Sequence, residues 1–490
     1  MAAREQVPTG VPGLDRLLRG GLPRSGLHTV VGRPGAGKSV LAHQVGAERI
    51  RQGGRVLYLT ALVETHQTLI AQARSFSFFD PATVPDSFYY ASLYPALARG
   101  GLPAAREEIS RLAREQGPTL VVLDGVHALK ARAESFLEYQ RFMHELEAEA
   151  TLTGAATLLL VHPERRMSSD PTFTIADGIL HLATRHVRLR SVRMLAVEKL
   201  RGVGHVGGWH TFAITGDGVH VYPRLESLAA GDERHLDGDP PETSAADLVD
   251  FAVEDMHELT GGGLARDSVT LVVGTPGSGK TLLGLAFLAA AAEAEEPVLF
   301  LGFHEEPRAL LQKADGVGLP LRRGLERGLV HLHWRAPTEL LADDVAEWVL
   351  ASIEEHGIRR VVVDAIEDVR QAIIPRDREV YFLAALATRL RRRGVASLFL
   401  QDLASIAGVN FDMPMPELSA LMDNVLHTRY VEDGAELRRL VGVLKIRARH
   451  HDRSLREFQI TPAGLRVGKA IKGSDTLLTG FASGRGILGH

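Results

Sequence analysis

Two stretches of the sequence fit the phosphate-binding pattern G-x-x-x-x-G-K-[ST]: residues 32–39, GRPGAGKS, and residues 274–281, GTPGSGKT. In such a loop the backbone N–H groups and the N-terminus of the following helix bind phosphate, and the lysine reaches the β- and γ-phosphates. Each stretch follows an apolar run and precedes a helix-like segment, as the motif requires. The residues expected to bind ATP are Gly35, Ala36, Gly37, Lys38, Ser39, Gly277, Ser278, Gly279, Lys280 and Thr281.

The hydroxyls of Ser39 and Thr281 are the expected Mg²⁺ ligands within these loops. Asp124 and Asp364 each end an apolar run further along and are expected to hold the ion through its water shell. A single strand-ending aspartate is common in any α/β protein. Two of them at matched positions predict one Mg-ATP site in each half of the chain.

An acidic pair, Glu305 and Glu306, follows the apolar run 298–301 in the second half. A carboxylate there could orient or deprotonate a nucleophile, so Glu305, Glu306 and Lys280 are the candidate catalytic residues. The first half has Val63 and Glu64 at these positions. Either Glu64 substitutes for the pair, or the first site binds ATP and turns it over slowly. Both acids would also suit a solvated helix start.

The chain contains an internal duplication, because several segments recur in the same order about 240 residues apart. The matched segments are 56–59 with 298–301, 120–124 with 361–364, and 199–201 with 445–447. Residues 229–244 are polar and rich in Pro and Gly, which predicts a linker. The expected halves are therefore residues 1–228 and 245–490.

Within each half, short β-branched runs alternate with longer amphipathic stretches, for example at 119–123, 157–161, 360–363 and 397–400. This alternation predicts an α/β fold, in which a mainly parallel sheet is flanked by helices and binds ligands at the carboxyl ends of its strands. Residues 188–199 and 437–447 alternate with polar positions and predict an antiparallel extension. Polar residues end one run in each half, namely His162 and Gln401 with Asp402, and are candidates for sensing the γ-phosphate.

Two Lys-x-Arg pairs lie in the predicted antiparallel strands: Lys199 with Arg201, and Lys445 with Arg447. Alternate residues of a strand face the same way, so each pair presents two cations on one face. Such cations suit a neighbouring subunit's triphosphate, where they would stabilise transferred charge. The alternative is a solvated edge strand that carries charge against aggregation.

The composition limits the class of protein. The chain has 490 residues, a formal net charge of −4 and no cysteine, which excludes disulfides, thiolate metal sites and cysteine nucleophiles. The N-terminus lacks the apolar core of a signal peptide, and the apolar stretch around 282–292 is too short to span a bilayer. We expect a soluble cytoplasmic protein without a membrane partner.

At these residues the sequence resembles the KaiC family of RecA-type ATPases. The resemblance covers nearly the whole chain and includes residues 9–15, TGVPGLD, 73–76, ARSF, 199–202, KLRG, and 456–460, REFQI. It implies two tandem RecA-like P-loop domains, an ATP-binding one at 1–228 and an ATPase and autokinase one at 245–490. It also implies a double-ring homohexamer with Mg-ATP between neighbours, Lys-x-Arg pairs acting in trans, and serine/threonine autophosphorylation in the second domain.

The chain departs from the family pattern in three places. Val63 and Glu64 stand where the family has two glutamates, and Ala420 replaces the threonine that follows the phosphoacceptor serine position, here Ser419. Alanine has no hydroxyl, so a two-residue phosphorylation cycle cannot operate there. The segment 468–490 also predicts no long regulatory tail. We therefore expect a KaiC-like signalling or stress ATPase whose phosphoacceptor is Ser419, rather than a circadian oscillator.

Two other functions remain open from the sequence. A RecA-like DNA-dependent ATPase would need a basic surface, for which Arg389, residues 391–393 and residues 322–323 are the candidates. A cationic helix C-terminus explains the larger cluster as well, so DNA is not the expected partner. An ATP-gated scaffold with low turnover would share every phosphate-binding residue with the enzyme.

Overall fold

The computed structural model describes residues 5–62, 66–163, 169–187, 189–229, 248–403, 420–433, 436–447 and 449–471. Contacts divide the chain into two compact units, Met1–Leu228 and Ala229–His490. The segment 229–244, which the sequence predicts as a linker, falls outside the described residues except for its first position.

The first unit is built on a nine-stranded sheet in the order β11-β10-β9-β8-β3-β7-β6-β4-β5, beside a small β1-β2 pair. The six strands from β8 to β5 in this order are parallel, and β9, β10 and β11 continue the sheet in antiparallel pairing. The strands are β1 Gln6–Val7, β2 Leu22–Pro23, β3 Gly26–Gly32, β4 Val56–Thr60, β5 Phe88–Ser92, β6 Leu120–Asp124, β7 Ala156–Val161, β8 Gly178–Val187, β9 Arg190–Leu200, β10 Trp209–Thr215 and β11 Gly218–Tyr222. The helices are α1 Leu14–Leu17, α2 Lys38–Arg51, α3 His66–Ala73, α4 Tyr94–Gln116, α5 Val126–Arg132, α6 Phe136–Thr153, α7 Pro171–Thr174 and α8 Leu225–Ala229.

The second unit repeats this sheet with the matching strands in the same relative order, β22-β21-β20-β19-β14-β18-β17-β15-β16, beside a β12-β13 pair. Its strands are β12 Leu248–Val249, β13 Leu264–Ala265, β14 Val269–Gly274, β15 Val298–Gly302, β16 Val330–Trp334, β17 Arg360–Asp364, β18 Ala396–Asp402, β19 Asn424–Asp433, β20 Glu436–Ile446, β21 Arg456–Thr461 and β22 Gly464–Ala470. Its helices are α9 Met256–Thr260, α10 Lys280–Glu293, α11 Pro307–Gly316, α12 Leu321–Glu326, α13 Ala342–His356, α14 Ile366–Ala372 and α15 Glu379–Arg392.

The parallel strands are buried on both faces, as their continuous apolar sequences predict. In β3, Val30 belongs to one core cluster, while Leu27 and Val31 belong to the other, so successive side chains point to opposite layers of helices. A sheet covered on both faces excludes water from every strand except at its ends. Polar side chains that follow the strands therefore collect at the carboxyl edge.

The expected α/β class with two tandem RecA-like sheets and antiparallel extensions is confirmed. The extension predicted at 188–199 begins at Arg190, and the one predicted at 437–447 begins at Glu436. Each phosphate-binding loop leaves the carboxyl end of the central strand, β3 or β14, beside the end of β7 or β18. This places each loop between two parallel neighbours of its sheet.

Candidate functional site

Both phosphate-binding loops need glycine just before the helix. Gly37 and Gly279 have φ values of 103° and 102°, in the left-handed region that other residues rarely adopt. A Cβ on Gly37 would lie 2.8 Å from Ile214 Cδ1, and one on Gly279 would lie 2.8 Å from Phe458 Cε1. The helices α2 and α10 begin at the next residue, so their free N–H groups lie beside the loop.

The serine or threonine after each lysine reaches the aspartate that ends β6 or β17, two strands from β3 or β14 in the sheet. Thr281 Oγ1 donates to Asp364 Oδ2 at 2.6 Å, and Ser39 Oγ lies 3.4 Å from Asp124 Oδ2. Burial raises the pKa of the Asp364 carboxyl, and the hydrogen bond from Thr281 opposes this shift. One hydroxyl and one carboxylate suit Mg²⁺, which keeps several of its waters and needs few protein ligands.

The second unit has a cleft of about 520 Å³ over its loop, lined by Lys280, Thr281, Asp364 and Glu305 among others. This volume lies within the roughly 300–1,000 Å³ that is typical of small-molecule pockets. In the described part of the chain, no group of three or more His, Asp or Glu side chains is arranged to hold a metal by itself. The volume and lining of the cleft are compatible with a nucleotide.

The structure separates the two adjacent glutamates of the second unit. Glu305 lines the cleft, and its Oε1 lies 2.5 Å from Lys313 Nζ. Its Oε2 is buried and has no hydrogen-bond partner among the described residues. Glu306 is the N-cap residue of α11 and is not one of the described residues that line the cleft. Of the two glutamates, only Glu305 is among the described residues that line the cleft.

Two predicted site residues lie outside the described residues. Glu64 belongs to the segment 63–65, and Ser419 to the segment 404–419. Their roles remain predictions from the sequence.

The aspartate of the first unit has a partner that sequence reasoning missed. Tyr58 Oη donates to Asp124 Oδ2 at 2.8 Å, and the His43 ring stacks on Tyr58 with a centroid distance of 4.8 Å. Burial raises the pKa of Tyr58 well above its ordinary value, so the phenol keeps its proton and remains a donor. The sequence signals this contact only as a difference between the matched segments 56–59 and 298–301. Phe300, which has no hydroxyl, stands in the second segment where Tyr58 stands in the first.

The two loop lysines have different environments. Lys38 Nζ donates to the carbonyls of Gly32 at 2.7 Å and Arg33 at 3.1 Å. Lys280 Nζ donates to the carbonyls of Gly274 at 3.0 Å and Thr275 at 2.9 Å, and also lies 2.6 Å from Asp402 Oδ1. The second lysine therefore carries a carboxylate partner at the end of β18.

The residues next to these lysines also differ in charge. In the first unit the His127 and His162 rings contact edge to face, with a centroid distance of 4.7 Å. Burial lowers the pKa of His162, and the positive charge of Lys38 adds to this shift. The matched positions of the second unit hold Glu367 and Asp402. Burial raises the pKa of the Glu367 carboxyl to about 7, and the charge of Asp402 also raises it.

Glu367 makes the stability of the second unit depend on pH. Because its pKa in the folded protein, about 7, lies above its ordinary value of 4.5, the folded state binds this proton more tightly than the unfolded chain does, and the resulting stabilisation is complete only below the ordinary value. Stability is then lost as the pH rises through about 7. We expect Glu367→Gln to raise the free energy of unfolding of nucleotide-free protein by about 2 kcal/mol more at about pH 8 than at about pH 5.

Chemical unfolding across this pH range measures the difference. Glu326→Gln, at an exposed position of α12, is the matched control and should give a flat profile. A Glu367→Gln difference that does not change with pH would show that Glu367 stays ionised or stays neutral throughout.

A profile of the KaiC ATPase family matches residues 7–226 and 249–472, which together cover most of the chain. The chain belongs to the KaiC ATPase family. Each match spans one of the two sheets and its phosphate-binding loop. Membership supports ATP binding and hydrolysis by tandem ATPase domains.

Several KaiC proteins align with nearly the full chain at low identity. The circadian clock oscillator protein KaiC of Picosynechococcus is 24% identical over 489 residues, which cover 97% of this chain and 92% of the relative. The circadian clock protein KaiC3 of Synechocystis is 24% identical, with 97% and 94% covered. The KaiC of Synechococcus elongatus is also 24% identical. No helix among the described residues is long and apolar enough to cross a membrane, and the apolar stretch 282–292 lies within α10.

The Lys-x-Arg pairs on which the KaiC resemblance partly rests lie away from the loops of their own units. Leu200 pairs with Gly178 at the start of β8, whereas the loop follows the carboxyl end of β3. Lys199 Nζ and Arg201 Nη2 both bind the carbonyl of Thr174, at 3.1 and 3.0 Å, so they share one face.

The pair in the second unit is held by residues of the segment 420–423. Lys445 Nζ donates to the carbonyl of Met422 at 2.7 Å, and Arg447 Nη1 to Asp423 Oδ1 at 3.2 Å. Neither pair reaches its own P-loop. Each pair lies level with the start of the central parallel strand, and the P-loop follows the end of that strand.

Other arginines of the same two strands do contact the loops, and sequence reasoning missed them. Arg193 Nη1 donates to the carbonyl of Gly35 at 2.8 Å, and Arg439 Nε lies 3.4 Å from the carbonyl of Gly277. Tyr430 Oη donates to that same carbonyl at 2.7 Å. The repeat spacing is a usable signal, because Arg193 and Arg439 are separated as far as Lys199 and Lys445 are.

Three of the arginines that raised the DNA-binding alternative are paired with carboxylates. Arg391 Nε lies 2.7 Å from Asp423 Oδ2, Arg393 Nη2 lies 2.5 Å from Glu354 Oε1, and Arg322 Nε lies 2.6 Å from Asp315 Oδ2. The larger cluster sits at the C-terminus of α15, where cations are favourable. These contacts give the arginines structural roles within the second unit.

Proposed function

We propose that this KaiC-family protein hydrolyses ATP mainly in its second domain, with the first domain serving chiefly as an ATP-dependent assembly site. The observation that supports this division is the placement of Glu305 in the cleft that also contains Lys280, Thr281 and Asp364. A carboxylate with one buried oxygen left unpaired can accept a proton from a nucleophile. The first domain has Val63 at the matched position, and a valine side chain cannot accept a proton.

Each group in the second cleft has a distinct task in this proposal. The N–H groups of residues 277–281 and the Lys280 ammonium bind the phosphates. Thr281 and Asp364 would hold Mg²⁺, which neutralises charge on the phosphate oxygens when bound. Glu305 accepts the proton of the attacking water, and its contact with Lys313 orients the carboxylate.

The same cleft would support autophosphorylation when a hydroxyl replaces water. The oxygen of Ser419 attacks the γ-phosphorus, its proton passes to Glu305, and the bond to the β-phosphate oxygen breaks to release ADP. Ser419 is assigned from the KaiC resemblance. Ser419 directly precedes residues 420–423 in the sequence, and the carbonyls of Met422 and Ala420 in that segment bind Lys445 and Arg447.

We further propose that copies of the chain form a homohexameric double ring with ATP between neighbours. Lys199, Arg201, Lys445 and Arg447 would then act on the triphosphate of the adjacent subunit. This proposal is supported by the position of the cations. They lie at the end of the sheet opposite to their own loop, so a triphosphate that they contact would be bound by another copy of the chain.

Assembly should therefore require both nucleotide and these cations. With a non-hydrolysable ATP analogue and Mg²⁺, we expect the wild-type chain to shift from monomer to hexamer in light scattering coupled to size exclusion. Arg201→Ala or Arg447→Ala should raise the protein concentration needed for assembly about tenfold or more, because a charged contact at an interface is lost. Arg114→Ala, on the exposed face of α4, is the control. A chain that stays monomeric with nucleotide would contradict the ring.

A further inference from the structure

The end of β18 brings a carboxylate against the loop lysine of the second unit. Gly274 pairs with Asp402 at the last position of the β14–β18 ladder, which places Asp402 beside the start of the loop. Asp402 Oδ1 lies 2.6 Å from Lys280 Nζ. The lysine side chain is 8% exposed and the aspartate side chain 54% exposed.

These contacts use all the donors of the lysine. An ammonium group has three N–H bonds, and the acceptors are the carbonyls of Gly274 and Thr275 and the Asp402 carboxylate. A phosphate oxygen that binds Lys280 must therefore replace one acceptor. The carbonyls belong to the backbone of the loop, whereas the half-exposed Asp402 side chain can rotate into water. Asp402 is the partner that a phosphate displaces.

The first unit has no carboxylate at the matched position. His162 follows β7 there, as Asp402 ends β18, and Lys38 is held by two backbone carbonyls. Phosphate can bind Lys38 without displacing an acidic side chain from this strand end. The two units therefore differ at this strand end by one residue, His162 or Asp402, while the phosphate-binding motif is complete in both.

We propose that Asp402 is an internal counter-ion of Lys280 that competes with nucleotide phosphate and so lowers the affinity of the second site for ATP. This inference rests on the proposed function of the cleft as an ATP site. The displaced carboxylate stays near the phosphates, and its repulsion grows with their charge. Asp402 therefore penalises ATP more than ADP and weakens the preference for the triphosphate.

Binding titrations on the full-length chain test this role. The Lys38→Ala protein reports the second site, and Mg²⁺ with AMP-PNP or ADP is the ligand. We expect Asp402→Asn in this background to lower the Kd for AMP-PNP about tenfold and the Kd for ADP by a smaller factor, because removing a competing charge near a phosphate favours the more charged ligand. Asp402→His, which installs the first-unit residue, should act in the same direction.

The reciprocal change is the matched control. In a Lys280→Ala protein, which reports the first site, His162→Asp should raise the Kd for AMP-PNP about tenfold. A Kd that is unchanged or raised in both Asp402 variants, with unaltered melting temperature, would overturn the counter-ion role while leaving the ATP site in place. Equal changes for AMP-PNP and ADP would overturn the charge-dependent preference. A Lys38→Ala protein that binds no nucleotide at all would instead overturn the proposed ATP site itself.

Discussion

Lys280→Ala is expected to lower the steady-state rate of phosphate release from the full chain about 1,000-fold. The lysine brings a buried positive charge to the transferred phosphoryl group, and its side chain is only 8% exposed, so water cannot supply that charge in its place. Alanine removes the charge and leaves the backbone loop in place. A phosphate-release assay at saturating Mg-ATP measures the loss.

Lys38→Ala is the matched variant at the other loop. We expect it to weaken nucleotide-dependent assembly, while turnover at protein concentrations that keep the rings assembled falls by less than about tenfold. Phosphosite mapping after incubation with Mg-ATP should find phosphate on Ser419 in wild type and Lys38→Ala, but not in Lys280→Ala. Equal losses of turnover in the two lysine variants would contradict the unequal roles of the domains. An ATPase that works normally with no phosphate on Ser419 or nearby would remove the autokinase part alone.

Glu305→Gln is expected to lower kcat about 100- to 1,000-fold with little change in KM. Glutamine keeps the size of the side chain but cannot accept a proton, so the loss should fall on the chemical step. Glu305 has one oxygen near Lys313 and one that is buried and free of hydrogen bonds within the described structure.

Glu306→Gln is the natural control, since it makes the same chemical change one residue later. Glu306 occupies the N-cap position of α11 and is not among the described residues that line the cleft, so we expect its variant to retain kcat within about threefold. A large loss in Glu306→Gln with a small one in Glu305→Gln would reverse the assignment. Single-turnover measurements separate a slow chemical step from slow product release.

Much of the fold could be predicted because its signals are local. The buried strands appear as short apolar runs, and the P-loops require glycine at Gly37 and Gly279 for a backbone angle that the sequence alone implies. The duplication presents each element twice. Strand-ending aspartates are common, but Asp124 and Asp364 could be recognised as a matched pair because they recur at the same place in both halves. These properties depend on neighbours in the chain or on the repeat spacing.

The roles within the acidic pair could not be predicted in the same way. Glu305 and Glu306 are chemically identical and adjacent, and only the path of the chain between β15 and α11 places the first in the cleft. The hydrogen bond from Tyr58 to Asp124 joins two strands that are far apart in sequence. A side-chain contact of this kind follows from strand register and backbone path.

The sequence by itself determined that this chain has two phosphate-binding loops on α/β sheets, each with a hydroxyl and an aspartate suited to Mg²⁺. Only the tertiary structure decided that Lys280 is paired with Asp402 and that the Lys-x-Arg cations lie at the sheet edge opposite to their own loops. Local geometry follows from residue type, because φ preference and hydrophobic periodicity act over a few residues. Electrostatic pairing depends on distances between side chains on separate strands, which exist only once the sheet has formed.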